Sequence, residues 1–431
     1  MSTPQIIEAD LTWTGEGFEH GVQIAIEPDG CIGRIGRELH SAARKLPNRA
    51  VLPGMINAHS HAFQRGLRGH GERFRQRAGS FWSWRETMYE LVQRMDADTF
   101  YQLSRQAFGE MLAAGVTTVG EFHYFHHDAS CDGYGFDEIV LRAAADAGVR
   151  IVLLNAYYNR GGIDQPLAQG QLRFRCGSVD EYWQQMDRLG DIVDPPTQSL
   201  GVAAHSIRAV SIDDIVALNQ EASRRDLVFH IHIEEQSKEI DDCVAAGGLR
   251  PMALIHDRLS IDPRFTAVHC TQTAGPDMQA LLEAGGNVCI CPLTEANLGD
   301  GIPDLRRILH SDGCICLGTD SNARICFTEE IRWLEYVQRL ATCSRGVCVD
   351  ESGGCARKLW RIATINGARA LGIRAGRIEP GYAADLIALD LQAPALAGWT
   401  EDTLLDAFIF GSGTEAIAAT CVAGQWTEHR L

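Results

Sequence analysis

Lysine is nearly missing from this chain: it stands only at Lys45, Lys238 and Lys358, against 39 lysines and arginines together in 431 residues. Basic sites are therefore guanidinium sites, suited to forked carboxylate binding rather than to the point charge of an ammonium. Positive charge is in deficit overall. The net charge of −17 removes any general attraction to nucleic acid or to an anionic membrane surface. Met1 to Asp10 shows no basic segment followed by an apolar one, and no stretch approaches the roughly 20 apolar residues of a membrane span. The expectation is a cytoplasmic protein. No Cys-x-x-Cys pair occurs among the 14 cysteines, and Cys289/Cys291 and Cys314/Cys316 alternate within apolar runs. They read as reduced, buried structural residues.

What is present is the composition of a globular enzyme, 45% hydrophobic and 22% charged, with 43 glycines dispersed throughout. The length suits a (β/α)₈ barrel of roughly 250 to 350 residues with a small accessory domain. Eight apolar runs fall at 51–61, 116–124, 151–158, 200–206, 228–234, 265–270, 287–292 and 314–319. Helical patterns at 97–114, 136–147, 179–189, 212–225, 276–284 and 328–340 alternate with them, which predicts βα units around a buried parallel sheet. Residues 21–27 and 31–35 flank Pro28-Asp29-Gly30 as a hairpin, and strand-like segments return at 381–389 and 416–424. The expected architecture is a TIM-like (β/α)₈ barrel over 53–376, with a flanking β-sandwich domain built from 1–52 and 377–431.

Most of the runs begin apolar and end in a titratable residue, at the side where barrel active sites lie. His59 and His61 are two apart on a strand, so both imidazoles leave one face and can share a metal ion. His230 and His232 repeat that spacing, with His232 the expected ligand and His230 a core or supporting histidine. Glu235, where strand phase is lost, is the expected proton carrier, and Glu234 competes with it from phase alone. His269 and Asp320 each close an apolar run. Three histidines and an aspartate, with a further His and Glu nearby, are the nitrogen and oxygen donors of a catalytic Zn²⁺ or Fe²⁺ site open to water.

These residues together resemble the amidohydrolase superfamily over nearly the whole chain. By that resemblance His59 and His61 are the first-strand metal pair, His232 the fifth-strand ligand followed by a deaminase-type Glu235, His269 the sixth-strand histidine and Asp320 the eighth-strand aspartate. Two-metal members commonly use a carboxylated lysine bridge, and no lysine here falls on a middle strand, so one divalent ion is implied. The strings around His59–Arg65, Phe81–Glu86, Glu121–Tyr124, His205–Val210 and Thr294–Gly301 resemble the branch that deiminates N-formimino-L-glutamate. That likeness implies substrate contacts from Gln64, Arg85, Tyr124, His205 and Arg208, release of ammonia, and a homodimer. One departure is Asn322, where relatives often carry His, which bears on substrate fine-tuning rather than metal binding.

A small dicarboxylate suits the residues independently, because Arg85 and Arg208 can each fork onto one carboxylate. Read alone, Arg208 is a surface cation opening a loop, and Phe81-Trp82-Ser83-Trp84 a lid or helix start. In the implied reaction the metal acidifies water, Asp320 and His269 help deprotonate and orient it, and Glu235 protonates the leaving nitrogen. The same metal set serves guanine, cytosine and S-adenosylhomocysteine deaminases and triazine chlorohydrolases. A non-catalytic relative of the fold would have lost ligands that are all present here.

Overall fold

The apolar runs become eight parallel strands in the computed structural model, which describes residues 4–40, 43–72, 79–310 and 313–429. They are β1 (Met55–Ser60), β2 (Val116–His123), β3 (Arg150–Tyr157), β4 (Gln198–Ser206), β5 (Phe229–Ile233), β6 (Phe265–His269), β7 (Asn287–Ile290) and β8 (Cys314–Leu317). Each pairs with its neighbours in chain order. A parallel bridge between Ser60 and Asp320 brings β8 back to β1. Every residue of β2 and β3 is buried, as a sheet covered on both faces requires.

The closing seam is built from small residues and amides. A Cβ on Gly318 would stand 2.7 Å from His59 Cβ and 2.8 Å from His59 O, so only glycine lets β8 approach so closely. Asn57 receives Thr319 N–H at 3.0 Å and donates to Thr319 Oγ1 at 2.7 Å. Thr319 Oγ1 donates onward to Asn322 Oδ1 at 2.7 Å, and Asn322 Nδ2 donates to Ser60 Oγ and to His61 O. Asn322 is thus fully committed to holding β8 against β1. The substrate role considered for this position finds no support in its bonds.

Helices sit where the 3.6-residue pattern puts them: Ala97–Ala113, Gly135–Ala147, Val179–Ile192, Ile212–Arg224, Gly275–Glu283 and Phe327–Thr342. Asp96, Ser178 and Ser211 cap three of these with side-chain oxygens on backbone N–H groups. Further helices, among them Phe81–Arg94, Ser237–Gly247 and Pro292–Leu298, add to the six expected. No helix among the described residues is long and apolar enough to cross a membrane.

The run at 51–61 is two strands rather than one. Arg44–Pro53 belongs to a mixed eight-stranded sheet formed by the two chain ends, and Gly54 separates it from β1. Gly54 N–H donates to Asp385 O at 2.8 Å, and a Cβ there would strike Thr117 Oγ1 at 2.1 Å. In the terminal sheet Gln23–Ile26 and Ile32–Gly36 form the hairpin, and Leu386–Asp390 pairs Arg44–Pro53 on one side and Ile417–Val422 on the other.

A buried ion pair joins this sheet to the barrel floor. Arg150, opening β3, donates from Nε to Asp385 Oδ2 at 2.6 Å and from Nη2 to Oδ1 at 2.9 Å. Asp385 also receives Ala423 N–H at 2.8 Å and the Thr118 hydroxyl at 3.3 Å. Removing one partner strands a buried charge, which costs about 3–5 kcal/mol. Asp385→Ala is expected to lower the unfolding free energy from urea titration by that amount, through a lower midpoint at unchanged m-value; a loss below about 1 kcal/mol would show that the pair does not hold the sheet to the barrel.

Candidate active site

The C-terminal ends of the strands surround a cleft of about 610 Å³. Gln64, Arg85, Tyr124, His205, Arg208, Glu235, His269 and Asp320 all line it, together with His61 and His232. His59 lies fully buried beneath them. Backbone strain concentrates at this mouth: Glu234, His269, Cys270, Asp320 and Asn322 all hold positive φ, a conformation that costs a non-glycine residue about 1–3 kcal/mol.

Four ligand atoms converge at the seam. His232 Nε2 stands 3.1 Å from His59 Nε2, and Asp320 Oδ1 stands 3.4 Å from His59 Nε2 and 3.2 Å from His61 Nε2. A tetrahedral ion with bonds of about 2.0–2.1 Å separates its ligands by about 3.3 Å, so these spacings fit one. The tautomers fit as well. His61 Nδ1 donates to Phe122 O and His232 Nδ1 donates to His205 O, each at 2.8 Å, which leaves both Nε2 lone pairs facing the centre. Burial, with the neighbouring imidazoles, drives His232 well below its ordinary range, and burial takes His59 down to about 3. Burial alone would raise Asp320, but the imidazoles of His59 and His61 hold it well below the usual carboxylate range. Three imidazole nitrogens and a carboxylate oxygen, all within 4.8 Å of one another, form a cation site.

His269 lies to one side, its Nε2 3.8 Å from both Asp320 Oδ2 and Glu235 Oε1 and its Nδ1 3.3 Å from Glu295 Oε1. Burial would lower it, yet those three carboxylates push it up to about 10. Glu235 faces the cleft and receives Arg208 Nη2 at 3.0 Å. Glu234 turns away toward Met252 N–H and Arg250, so of the two glutamates only Glu235 reaches the cleft. His230 donates to Ala370 O at 2.8 Å below the ligand layer, and burial lowers it to about 4.

The two arginines differ in state. Arg208 is tied to Glu235, with Nη1 buried and unpartnered. Arg85 packs over the Trp82 ring at 4.5 Å, its Nε buried and unpartnered, on a helix capped reciprocally by Ser80 and Ser83. Gln64 Nε2 donates to Tyr124 Oη at 2.7 Å, and burial keeps that phenol protonated. Burial and the nearby Arg208 guanidinium hold His205 neutral.

Two supporting carboxylates had no sequence signal of their own. Glu295, one turn into Pro292–Leu298, binds both His269 and the Cys291 N–H. Glu121, on β2, receives Ala62 N–H at 2.6 Å, and burial pushes it up to about 7. A separate cluster of His123, His126 and Asp137 is filled by hydrogen bonds rather than open to a ligand: Asp137 accepts from both histidines, Asn155 and Gln185. His126 faces only acceptors, Asp137 Oδ1 at 2.8 Å and Ala156 O at 2.9 Å, so both its nitrogens carry protons.

The parallel barrel and a His-His-His-Asp cluster at the mouth of its strands define a metal-dependent barrel hydrolase. The family model for the amidohydrolase family matches residues 50–427, and the chain belongs to that family. It is 38% identical to the formimidoylglutamate deiminase of Pseudomonas aeruginosa, covering 97% of this chain and 94% of that one. A crystal structure of an amidohydrolase from Brucella melitensis superposes with a TM-score of 0.86 at 32% identity, over 98% of this chain and 94% of that one. An adenosine deaminase from Xanthomonas campestris with bound zinc shares the fold, with a TM-score of 0.81 at 24% identity over 98% and 92% of the two chains.

His232→Ala is expected to weaken metal binding by at least about 100-fold, whereas His269→Asn should retain the ion, both read by elemental analysis after dialysis. Metal loss in the His269 variant would place that residue among the ligands.

The His126–Asp137 pair predicts a pH signature. Burial opposes ionisation of both, but their mutual attraction and hydrogen bonds raise His126 well above its ordinary range and lower Asp137 far below its own. The Asp137 contribution is therefore present above about pH 4 and fades as pH falls; that of His126 is full below about pH 6.5 and fades only when pH climbs through its raised value. In urea titrations the deficit of Asp137→Asn against the parent should grow from pH 3 to pH 5 and hold through neutrality. A deficit independent of pH would contradict the charged pair.

Proposed function

We propose that this chain hydrolyses N-formimidoyl-L-glutamate to N-formyl-L-glutamate and ammonia, a step of histidine breakdown. The observation that carries the reading is a pair of guanidiniums, Arg85 and Arg208, in one cleft with the metal cluster. A dianionic substrate answers both, and the 38% likeness to a formimidoylglutamate deiminase agrees.

One divalent ion, Zn²⁺ with Fe²⁺ as the alternative, would be held by His59, His61, His232 and Asp320. Lys45, Lys238 and Lys358 lie on Arg44–Pro53 and two outer helices, so no lysine is placed to bridge a second ion. When bound, the ion supplies the charge that makes water acidic near neutral pH. Asp320 uses Oδ1 toward His59 and His61, which leaves Oδ2, 3.8 Å from His269 Nε2, to accept a proton from the attacking water. His269, 3.8 Å from Asp320 Oδ2 and from Glu235 Oε1, would help to orient and deprotonate that water.

Glu235 handles the nitrogen. Its Oε2 is held by Arg208, and its Oε1 faces the reacting side. As water adds to the formimidoyl carbon the C=N bond becomes single, and the first proton of the water, taken up at Asp320 Oδ2, is passed to Glu235 and by it to that nitrogen, which returns both carboxylates to the ionised state. The second proton of the water then passes by way of the same carboxylate to the nitrogen, the C–N bond breaks, ammonia leaves and the formyl C=O forms. Arg208 would bind the α-carboxylate, close to the reacting carbon, and Arg85 the more distant side-chain carboxylate.

Ammonia release should be found with N-formimidoyl-L-glutamate and not with adenosine or guanine; release from a nucleoside or base alone would replace this reading with a nucleobase deaminase. Glu235→Gln should lower kcat by about 10²–10⁴-fold with metal content unchanged. Normal turnover by that variant would remove Glu235 from the proton path.

A further inference from the structure

Away from the metal cluster the cleft ends in Arg85, Tyr89 and Tyr158. Arg85 and Tyr89 lie one helical turn apart on Phe81–Arg94, and the Arg85 guanidinium carbon is 5.6 Å from the centre of the Tyr89 ring. Tyr158 follows the last residue of β3. Both tyrosines meet one amide, that of Gln171, which is 1% exposed in the short Gln169–Phe174 turn.

The orientation of that amide is fixed. Ala168 N–H can only donate, and it donates to Gln171 Oε1 at 2.8 Å, so Nε2 is the atom facing the phenols. Gln171 Nε2 lies 2.7 Å from Tyr158 Oη and 3.1 Å from Tyr89 Oη, with Gly161 O a longer third contact at 3.4 Å. An amide nitrogen has two protons and accepts none. Both phenol oxygens must therefore accept from it, and each keeps its own O–H proton to donate elsewhere. Burial, reinforced by Tyr89, keeps the Tyr158 phenol protonated while Arg85 and Arg208 both act on it. No carboxylate among the described residues forms a salt bridge with Arg85. Donors without an acceptor thus collect at this end of the cleft.

We infer that Tyr158 and Tyr89, held as donors by Gln171, complete with Arg85 a site for the substrate carboxylate remote from the metal, and that this site imposes the requirement for a dicarboxylate. Tyr158 and Tyr89 are the specificity residues and Gln171 is a positioning residue that acts through them. The inference rests on the deiminase reading for the identity of the substrate, but the anion site can be tested without turnover.

The test pairs variants with substrates on the metal-loaded enzyme. With N-formimidoyl-L-glutamate, Tyr158→Phe should raise KM about 10-fold or more and leave kcat within about threefold, because one hydrogen bond to a charged group is lost and the reacting end is untouched. With N-formimidoyl-L-2-aminobutyrate, which lacks the remote carboxylate, the same variant should match the parent. Gln171→Glu replaces the amide donor by an acceptor that captures the phenol protons, and should raise KM for the dicarboxylate like Tyr158→Phe, with metal content and circular dichroism unchanged. Calorimetry with glutarate against butyrate gives the binding readout: Tyr158→Phe should weaken glutarate about 10-fold and leave butyrate unaltered. Equal effects on both substrates, or unchanged glutarate binding, would overturn the inference. A parent enzyme inactive on N-formimidoyl-L-glutamate whose glutarate binding still depends on Tyr158 would instead overturn the deiminase reading alone.

Discussion

The cleft depends on the seam where β8 meets β1. His59 and His61 come from one side of that junction and Asp320 from the other, and the hydrogen bonds that close the barrel run through these residues: Asp320 N–H to His59 O at 3.0 Å and His61 N–H to Asp320 O at 2.9 Å. Barrel closure and ligand convergence are therefore one event. The Gly318 contact and the Asn57–Thr319–Asn322 network serve both, since a wider seam would move Asp320 away from two of its three histidine partners. His232 arrives from β5 across the mouth, aimed by a bond from its Nδ1 to the backbone of β4. The ligand geometry is thus set by main-chain pairing, which is stiffer than any side-chain scaffold.

Around the seam an acidic chain has to keep several buried carboxylates satisfied. Asp137 does so with four donors, and Asp385 with Arg150, Thr118 and a backbone N–H. At the cleft the solution differs. Glu235, Glu295 and Asp320 surround His269, and the attraction of three carboxylates outweighs the desolvation of one imidazolium. That balance favours the protonated form of a strand-end histidine.

How much of this was legible in the sequence follows from the range of each interaction. His59 and His61, or Asp320 at the end of an apolar run, are visible because strand period and strand end are local properties, and the barrel follows from their recurrence. The division of 51–61 into two strands was not visible, because both halves are apolar and the break depends on Thr117 lying against Gly54. Glu295 sits in a short helix behind a proline, and its partner His269 is 26 residues away. The Phe81–Arg94 helix presents Phe81, Trp84, Arg85, Met88 and Tyr89 to the cleft, a placement that periodicity in sequence does not reveal.

The two arginines show why a cleft lined by Phe81, Trp84, Tyr124, Tyr158 and Phe174 is nevertheless read as an anion site. Aromatic rings alone would suit a purine. Arg85, however, is half-buried, its Nε is buried and unpartnered, and no acidic side chain among the described residues forms a salt bridge with it. Arg208 is compensated only in part, by Glu235, and keeps a buried, unpartnered Nη1. A neutral nucleobase would leave both deficits in place. A ligand with two carboxylates would answer both, pairing Arg85 and sharing Arg208 with Glu235, so the charges lining the cleft favour an anionic occupant.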